Sequence, residues 1–127
     1  MLHKIMSVHE FHEVFKIGNA DDMKTIDERD YMLRYNLLKE ENEEYLEAAQ
    51  RGDIVEVADA LGDILYIAFG TLLKHGLHHK IDEVFDEIHR SNMSKLDENG
   101  QPIFREDGKI MKSALYFKPD IKSILDK

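Results

Sequence analysis

Two acid clusters, Glu40-Glu41-Asn42-Glu43-Glu44 and Glu56-Val57-Ala58-Asp59, interrupt segments that otherwise read as core-forming helix, and they lie twelve residues apart. That arrangement restricts what the chain can fold into. Carboxylates on the inward side of two neighbouring helices leave unpaired charge away from water, at a cost of several kcal/mol or more. A chain that keeps them there needs a cation, and a magnesium-type site is the first expectation.

Helix start and stop signals organise the rest. Ser7-Val8-His9-Glu10 has capping-box form, with Val8, Phe11 and Phe15 on one face before Gly18 stops a first helix. Thr25-Ile26-Asp27-Glu28 opens a second, which carries Leu33, Leu37 and Leu38 and runs to about Gln50. Arg51-Gly52 is a turn, and Asp53-Ile54-Val55-Glu56 opens a third helix that ends near Gly76. The fourth holds Ile81, Val84, Phe85 and Ile88 at helical spacing and fades around Ser91 to Met93. Beyond it, Asn99-Gly100 and Asp107-Gly108 are tight-turn pairs flanking Ile103-Phe104, which predicts a hairpin or ordered loop. The tail from Ser113 to Lys127 reads as an arm that packs on the domain or on a second subunit. The expected architecture is all-α: a four-helix bundle with a C-terminal hairpin or loop arm. At 127 residues and 43% hydrophobic content it fits one domain, 1–127.

On a helical wheel, Glu41 and Glu44 fall within about 40° of Leu37, on the apolar stripe of the second helix, and Glu40 lies at the stripe's edge, about 60° off. Glu43 and Glu47 point away and read as a solvated face. On the third helix Glu56, Asp59 and Asp63 share an arc of about 60°, and Ile54, Val57, Leu61, Leu65 and Ala68 occupy the opposite arc. This predicts a mostly buried helix with one acidic seam. The short turn makes the two helices antiparallel neighbours, so the seams face each other, and converging carboxylate oxygens suit Mg²⁺ or Mn²⁺. Two competing readings stand beside this one. Glu56 occupies the N3 position of a capping box and would then serve the helix start alone. A salt-bridge network would replace the cation, with Arg34 its main basic member.

Other classes fall away. No cysteine is present, which removes disulfides, thiolate metal sites and a cysteine nucleophile, and fits a reducing, cytoplasmic setting. The N-terminus lacks the apolar stretch of a secretory signal, and the uncharged run Ile64 to Leu73 is short of the roughly 20 residues that span a bilayer. A net charge of −9 argues against a nucleic-acid polymer as partner. The seven histidines form no ligand set: His9-Glu10-Phe11-His12 is one residue short of a zinc-protease motif and reads as surface. No Glu-x-x-His accompanies the acids, against a di-iron bundle. Tyr66 and Phe11 are core aromatics or base-stacking surfaces.

Glu40-Glu41-x-x-Glu44 followed by Glu56-x-x-Asp59 resembles the motif of the all-α nucleoside triphosphate pyrophosphohydrolases, the MazG-like and phosphoribosyl-ATP pyrophosphohydrolase-like superfamily. The likeness continues through Asp59-Ala60-Leu61-Gly62-Asp63-Ile64-Leu65-Tyr66 and His89-Arg90-Ser91-Asn92-Met93-Ser94-Lys95, with Gly108-Lys109 and Lys112 downstream. These last pieces are similar to a single-domain branch of bacteria and phages. The spacer between the motifs is short for the family, which implies a short helix connection. The resemblance implies hydrolysis of a nucleoside triphosphate between the α and β phosphates, with Glu41, Glu44, Glu56 and Asp59 as ligands of Mg²⁺ or Mn²⁺. Glu40 is then the base that orients water or a ligand to another ion, and Asp63 an outer-shell acceptor or sugar contact. Asn92, Lys95, Lys109 and Lys112 are expected to close over base, sugar or phosphates.

The leading expectation is an enzyme of nucleotide-pool housekeeping acting on dUTP or a non-standard triphosphate. The alternatives are hydrolysis of phosphoribosyl-ATP and a non-catalytic helical module whose acids hold a structural cation. A third helix that is apolar round most of its circumference rarely finds enough partners in a monomer of this length. A homodimer or homotetramer, with sites completed between subunits, is expected.

Overall fold

A computed structural model describes residues 1–127 and contains helices α1 (Leu2–Val14), α2 (Glu28–Arg51), α3 (Ile54–His75), α4 (Ile81–Met93) and α5 (Ile121–Leu125). No β-strand forms beyond one isolated bridge, so the chain is all-α. None of its helices is long and apolar enough to cross a membrane. Contacts divide it into two compact units, Met1–His79 and Lys80–Lys127.

In the first unit α1 and α2 both pack on α3. α2 ends where Gly52 turns left-handed at φ 68°, and α3 begins where the Asp53 carboxylate accepts a hydrogen bond from Glu56 N at 3.2 Å. The two-residue link is as short as the motif spacing implied, and it sets the helices antiparallel. Two expected starts move. α1 begins at Leu2 rather than at Ser7, because Ile5 and Val8, at 0% and 1% exposure, form one buried face that draws the helix back past the serine. α2 is capped by Asp27, whose side chain accepts from Asp30 N at 3.0 Å, and Thr25 lies outside the helix. The cause is tertiary: the backbone N of Lys24 donates to His75 O at 2.9 Å, and its carbonyl meets His75 Nδ1, which holds the preceding residues extended along the end of α3.

Two more expectations are corrected. His12 is not on the surface: with 2% exposure it joins Ile5 and Val8 on the inward face of α1, and its Nδ1 pairs with Asn19 Oδ1 at 3.0 Å. Burial and the positive charges of Arg34 and Lys74 lower its pKa, although the bond to Asn19 works in the other direction. Nor is α3 mostly buried. Ala60, Gly70 and Leu73 are covered, whereas Ile54, Leu61 and Leu65 are 75%, 45% and 56% exposed. The apolar arc is therefore only partly covered: Val57 and Ala68 are half-buried, and Ile54, Leu61 and Leu65 stay exposed.

In the second unit the arm does fold back. Ser91 Oγ donates to Phe117 O at 2.8 Å, Arg90 stacks on the Phe117 ring at 4.3 Å, and Glu87 accepts from Asp120 N at 2.7 Å. The hairpin is minimal: Phe104 and Ile110 form a single antiparallel bridge around Gly108. The short α5, which the sequence reading left within the tail, is capped by Asp120.

Gly76 generates a test. It is left-handed at φ 68°, and an added Cβ would lie 2.2 Å from the Asp22 carbonyl oxygen, whereas Gly52, also at φ 68°, has nothing within 4 Å. Gly76→Ala should cost about 3 kcal/mol, combining roughly 1–2 kcal/mol for the left-handed residue with about 1–3 kcal/mol for overpacking, while Gly52→Ala should cost only about 1 kcal/mol. Urea denaturation of both variants checks the difference; equal losses would refute the clash.

Candidate active site

The acids come from both sides of the short link. α2 supplies Glu40, Glu41 and Glu44, and α3 supplies Glu56, Asp59 and Asp63. Glu41 sits at the centre. Its carboxyl is pushed up to about 7, first by burial, then by a hydrogen bond with the Glu44 carboxyl and by the charges of Asp63, Glu44 and Asp59. Glu44, Asp59 and Asp63 thus all bear electrostatically on the Glu41 carboxyl, which holds its proton to about pH 7. Glu41 Oε2 is buried and has no hydrogen-bond partner.

Glu40 and Glu56 stand apart from that set. Neither is among the groups that act on Glu41; exposure does not distinguish them, since Glu44 and Asp59 are exposed as well and only Glu41 and Asp63 are partly covered. Glu56 does not close a capping box either, because the backbone N it would reach, that of Asp53, donates instead to Ala48 O at 3.0 Å. The reading of Glu56 as a pure capping residue thus loses its partner, and its carboxylate is left unengaged. No three His, Asp or Glu side chains already stand as a coordination shell.

The salt-bridge alternative is not realised. None of these carboxylates has a Lys or Arg nitrogen within 4.0 Å. Arg34, the basic residue expected to neutralise them, turns to α3 and donates to Thr71 Oγ1 and to the Ile67 carbonyl, each at 3.0 Å. An oxygen-only donor set with an orphaned buried oxygen fits a hard divalent cation.

Beside the cluster a cavity of about 450 Å³ is lined by Tyr35, Leu38, Lys39, Asn42 and Ile64. Sequence reasoning missed it, although Tyr35, Leu38, Lys39 and Asn42 recur at helical spacing on the flank of α2 next to Glu41. Phe11 and Tyr66 meet edge to face at 5.7 Å and so serve α1–α3 packing. The remaining expected site residues belong to the second unit. Asn92 and Lys95 end α4, where Lys95 N donates to Asn92 O at 3.1 Å. Lys109 N is bonded to Asp107 in the hairpin, and Lys112 Nζ lies 4.7 Å from the Tyr116 ring centre.

Comparison with known proteins bears on the family and the fold. The sequence model of the phosphoribosyl-ATP pyrophosphohydrolase family matches residues 8–92, a span that contains both acid clusters. An uncharacterised protein of Acanthamoeba polyphaga mimivirus is 29% identical over 96 residues, 75% of this chain, and the chain spans only 35% of that protein's length. The crystal structure of a candidate NTP pyrophosphohydrolase from Exiguobacterium sp. 255-15 shares the fold at TM-score 0.50 and 23% identity, with 97% of this chain and 91% of that one covered.

The cluster makes metal-free stability depend on pH. Glu41 binds its proton more tightly in the folded chain than its ordinary value of 4.5 allows, so its contribution is greatest below about pH 4.5 and is lost as pH rises towards 7. Glu41→Gln should therefore raise the melting temperature in EDTA at pH 8 and leave it nearly unchanged at pH 4. A lower melting temperature at pH 8 would show that the cluster is not repulsive.

Proposed function

The chain belongs to the phosphoribosyl-ATP pyrophosphohydrolase family of the all-α nucleotide pyrophosphohydrolases, and on that premise we propose that it hydrolyses a nucleoside triphosphate to the monophosphate and pyrophosphate. The observation that carries the proposal is the buried, unpartnered Oε2 of Glu41 among Glu44, Asp59 and Asp63, with no basic side chain to neutralise them. Glu41, Glu44 and Asp59, joined by the unengaged Glu56, would hold Mg²⁺ or Mn²⁺. Such an ion supplies charge neutralisation for the triphosphate and a more acidic water. Glu40, exposed and outside the groups that act on Glu41, orients the attacking water and takes its proton. Asp63 accepts a hydrogen bond from the sugar or from bound water. Asn92, Lys95, Lys109 and Lys112 contribute hydrogen-bond donors and positive charge for base and phosphates.

The substrate we favour is dUTP or a non-standard triphosphate, removed from the nucleotide pool of the cytoplasm. The matching family's name supports a second reading, phosphoribosyl-ATP, which shares the chemistry and differs beyond the phosphates. The exposed part of the apolar arc of α3, with Leu33 and Leu46 of α2 each 53% exposed, supports a homodimer or homotetramer.

Incubating the protein with Mg²⁺ and a panel of nucleotides that includes dUTP and phosphoribosyl-ATP should release pyrophosphate from at least one. Release from none would favour a non-catalytic helical module. Glu41→Gln and Asp59→Asn should each lower turnover about 10³-fold, the several kcal/mol that a lost metal ligand removes from the transition state, with the fold retained. Full activity in either variant would overturn the site. Solution scattering should give the mass of a dimer or tetramer; a monodisperse monomer would refute the assembly.

A further inference from the structure

Arg34 is 8% exposed, yet no carboxylate lies within 4.0 Å of it. A buried cation without a counterion costs several kcal/mol unless hydrogen bonds replace the water it gives up. Here they come from one place on α3. Nε donates to Thr71 Oγ1 at 3.0 Å, Nη2 donates to Ile67 O at 3.0 Å, and Thr71 Oγ1 itself donates to that carbonyl at 2.9 Å. The fork lies against Gly70, where an added Cβ would fall 2.6 Å from Nη2 and 2.9 Å from His12 Nε2. Bare backbone at residue 70 is what lets the guanidinium of α2 and the imidazole of α1 reach α3 together.

The position of this fork matters for the acids. Arg34 lies seven residues before Glu41 on the same side of α2, and Ile67 and Thr71 lie four and eight residues after Asp63 on the same side of α3. In an antiparallel pair these two points and the acid cluster are two rungs of one ladder. Sliding α2 along α3 by one turn, about 5.4 Å, would strand a buried guanidinium and at the same time carry Glu41 away from Asp59 and Asp63. Apolar contacts between Leu37 and its neighbours tolerate such a slide far better, because hydrophobic attraction has no direction. We infer that Arg34 is a positioning residue that fixes the α2–α3 register and thereby the mutual placement of the site carboxylates, acting through the Ile67 carbonyl and Thr71 hydroxyl rather than through a counterion. The inference rests on the carboxylate-site reading of the preceding subsection.

The test uses the full chain with Thr71→Val, Arg34→Lys and Arg34→Met. Thr71→Val removes the acceptor for Nε at nearly constant volume, and Lys offers one point of charge in place of a fork. Three measurements are made: melting in EDTA, nuclear Overhauser contacts between α2 and α3 in the metal-free protein, and Mn²⁺ affinity by electron paramagnetic resonance. Thr71→Val and Arg34→Lys should fold, change the wild-type pattern of α2–α3 contacts, and bind Mn²⁺ about 10–100-fold more weakly, the range for residues that orient ligands. Arg34→Lys should be less impaired than Arg34→Met; if the methionine variant does not fold, the other two decide. Folded variants that keep both the α2–α3 contacts and the Mn²⁺ affinity overturn the inference, as does a lower melting temperature with both unchanged. If the contacts change in the variants but the wild type binds no Mn²⁺, the register claim stands and the metal site falls.

Discussion

Everything in the first unit is arranged around like charge held in close quarters. Two carboxylates about 5 Å apart at an effective dielectric near 20 would repel by about 3 kcal/mol, and the charges of Asp63, Glu44 and Asp59 all act on Glu41. The chain does not relax by parting the helices. The left-handed Gly52, the Asp53 cap and the Arg34 fork hold α2 and α3 together at both ends of the acidic stretch, and the Glu41 carboxyl responds by holding its proton to about pH 7. No basic side chain offsets these acids, and that is the physical basis for reading them as a site.

The same helix pair explains the exposed apolar surface. Near its start α3 carries its acids and the small Ala60, and its buried leucine, Leu73, lies towards the far end. Ile54, Leu61 and Leu65 are left on the remaining arc, each worth about 1.5–3 kcal/mol if covered. A fold that dedicates its interhelical seam to charge cannot also use that seam as its hydrophobic core. Fully buried side chains are accordingly few and lie mainly where α1 and the segment after it meet α3, at Ile5, Val8, Ala20 and Leu73.

What the sequence made legible was what is local or periodic. The Asp53 cap, the Gly52 and Gly76 stops, the limits of α4 and the two Gly turns of the hairpin all depend on residues within four positions of one another. The placement of Glu41, Glu44, Asp59 and Asp63 on facing seams followed from the helical period alone. Illegible features depend on distant partners. Thr25 lost its cap role because Lys24 pairs with His75, and Ser7 lost its own because Ile5 packs under α3. Arg34 was legible as a cation near acids, which suggested an ion pair. Its true partners, a main-chain carbonyl and a threonine hydroxyl, carry no charge pattern to find. The grouping of Asp63 more closely than Glu56 with Glu41 also escaped the wheel, since phase gives the side of a helix and not which turn faces which.

Charge is divided unevenly along the chain, and on the proposed reading that division orders the events at the site. Residues 1–79 carry sixteen Asp and Glu against eight Lys and Arg, whereas the stretch from Lys109 to Lys118 carries three lysines and no acid. A bare triphosphate approaching the acidic unit meets net repulsion over a Debye length of about 8 Å, so it gains access only with its charge already offset by a cation. An ion arriving with the nucleotide would be held by Glu41, Glu44, Glu56 and Asp59. Because burial and neighbouring charge push the Glu41 carboxyl up to about 7, cation affinity and loss of the Glu41 proton would be linked, and both would strengthen as pH rises.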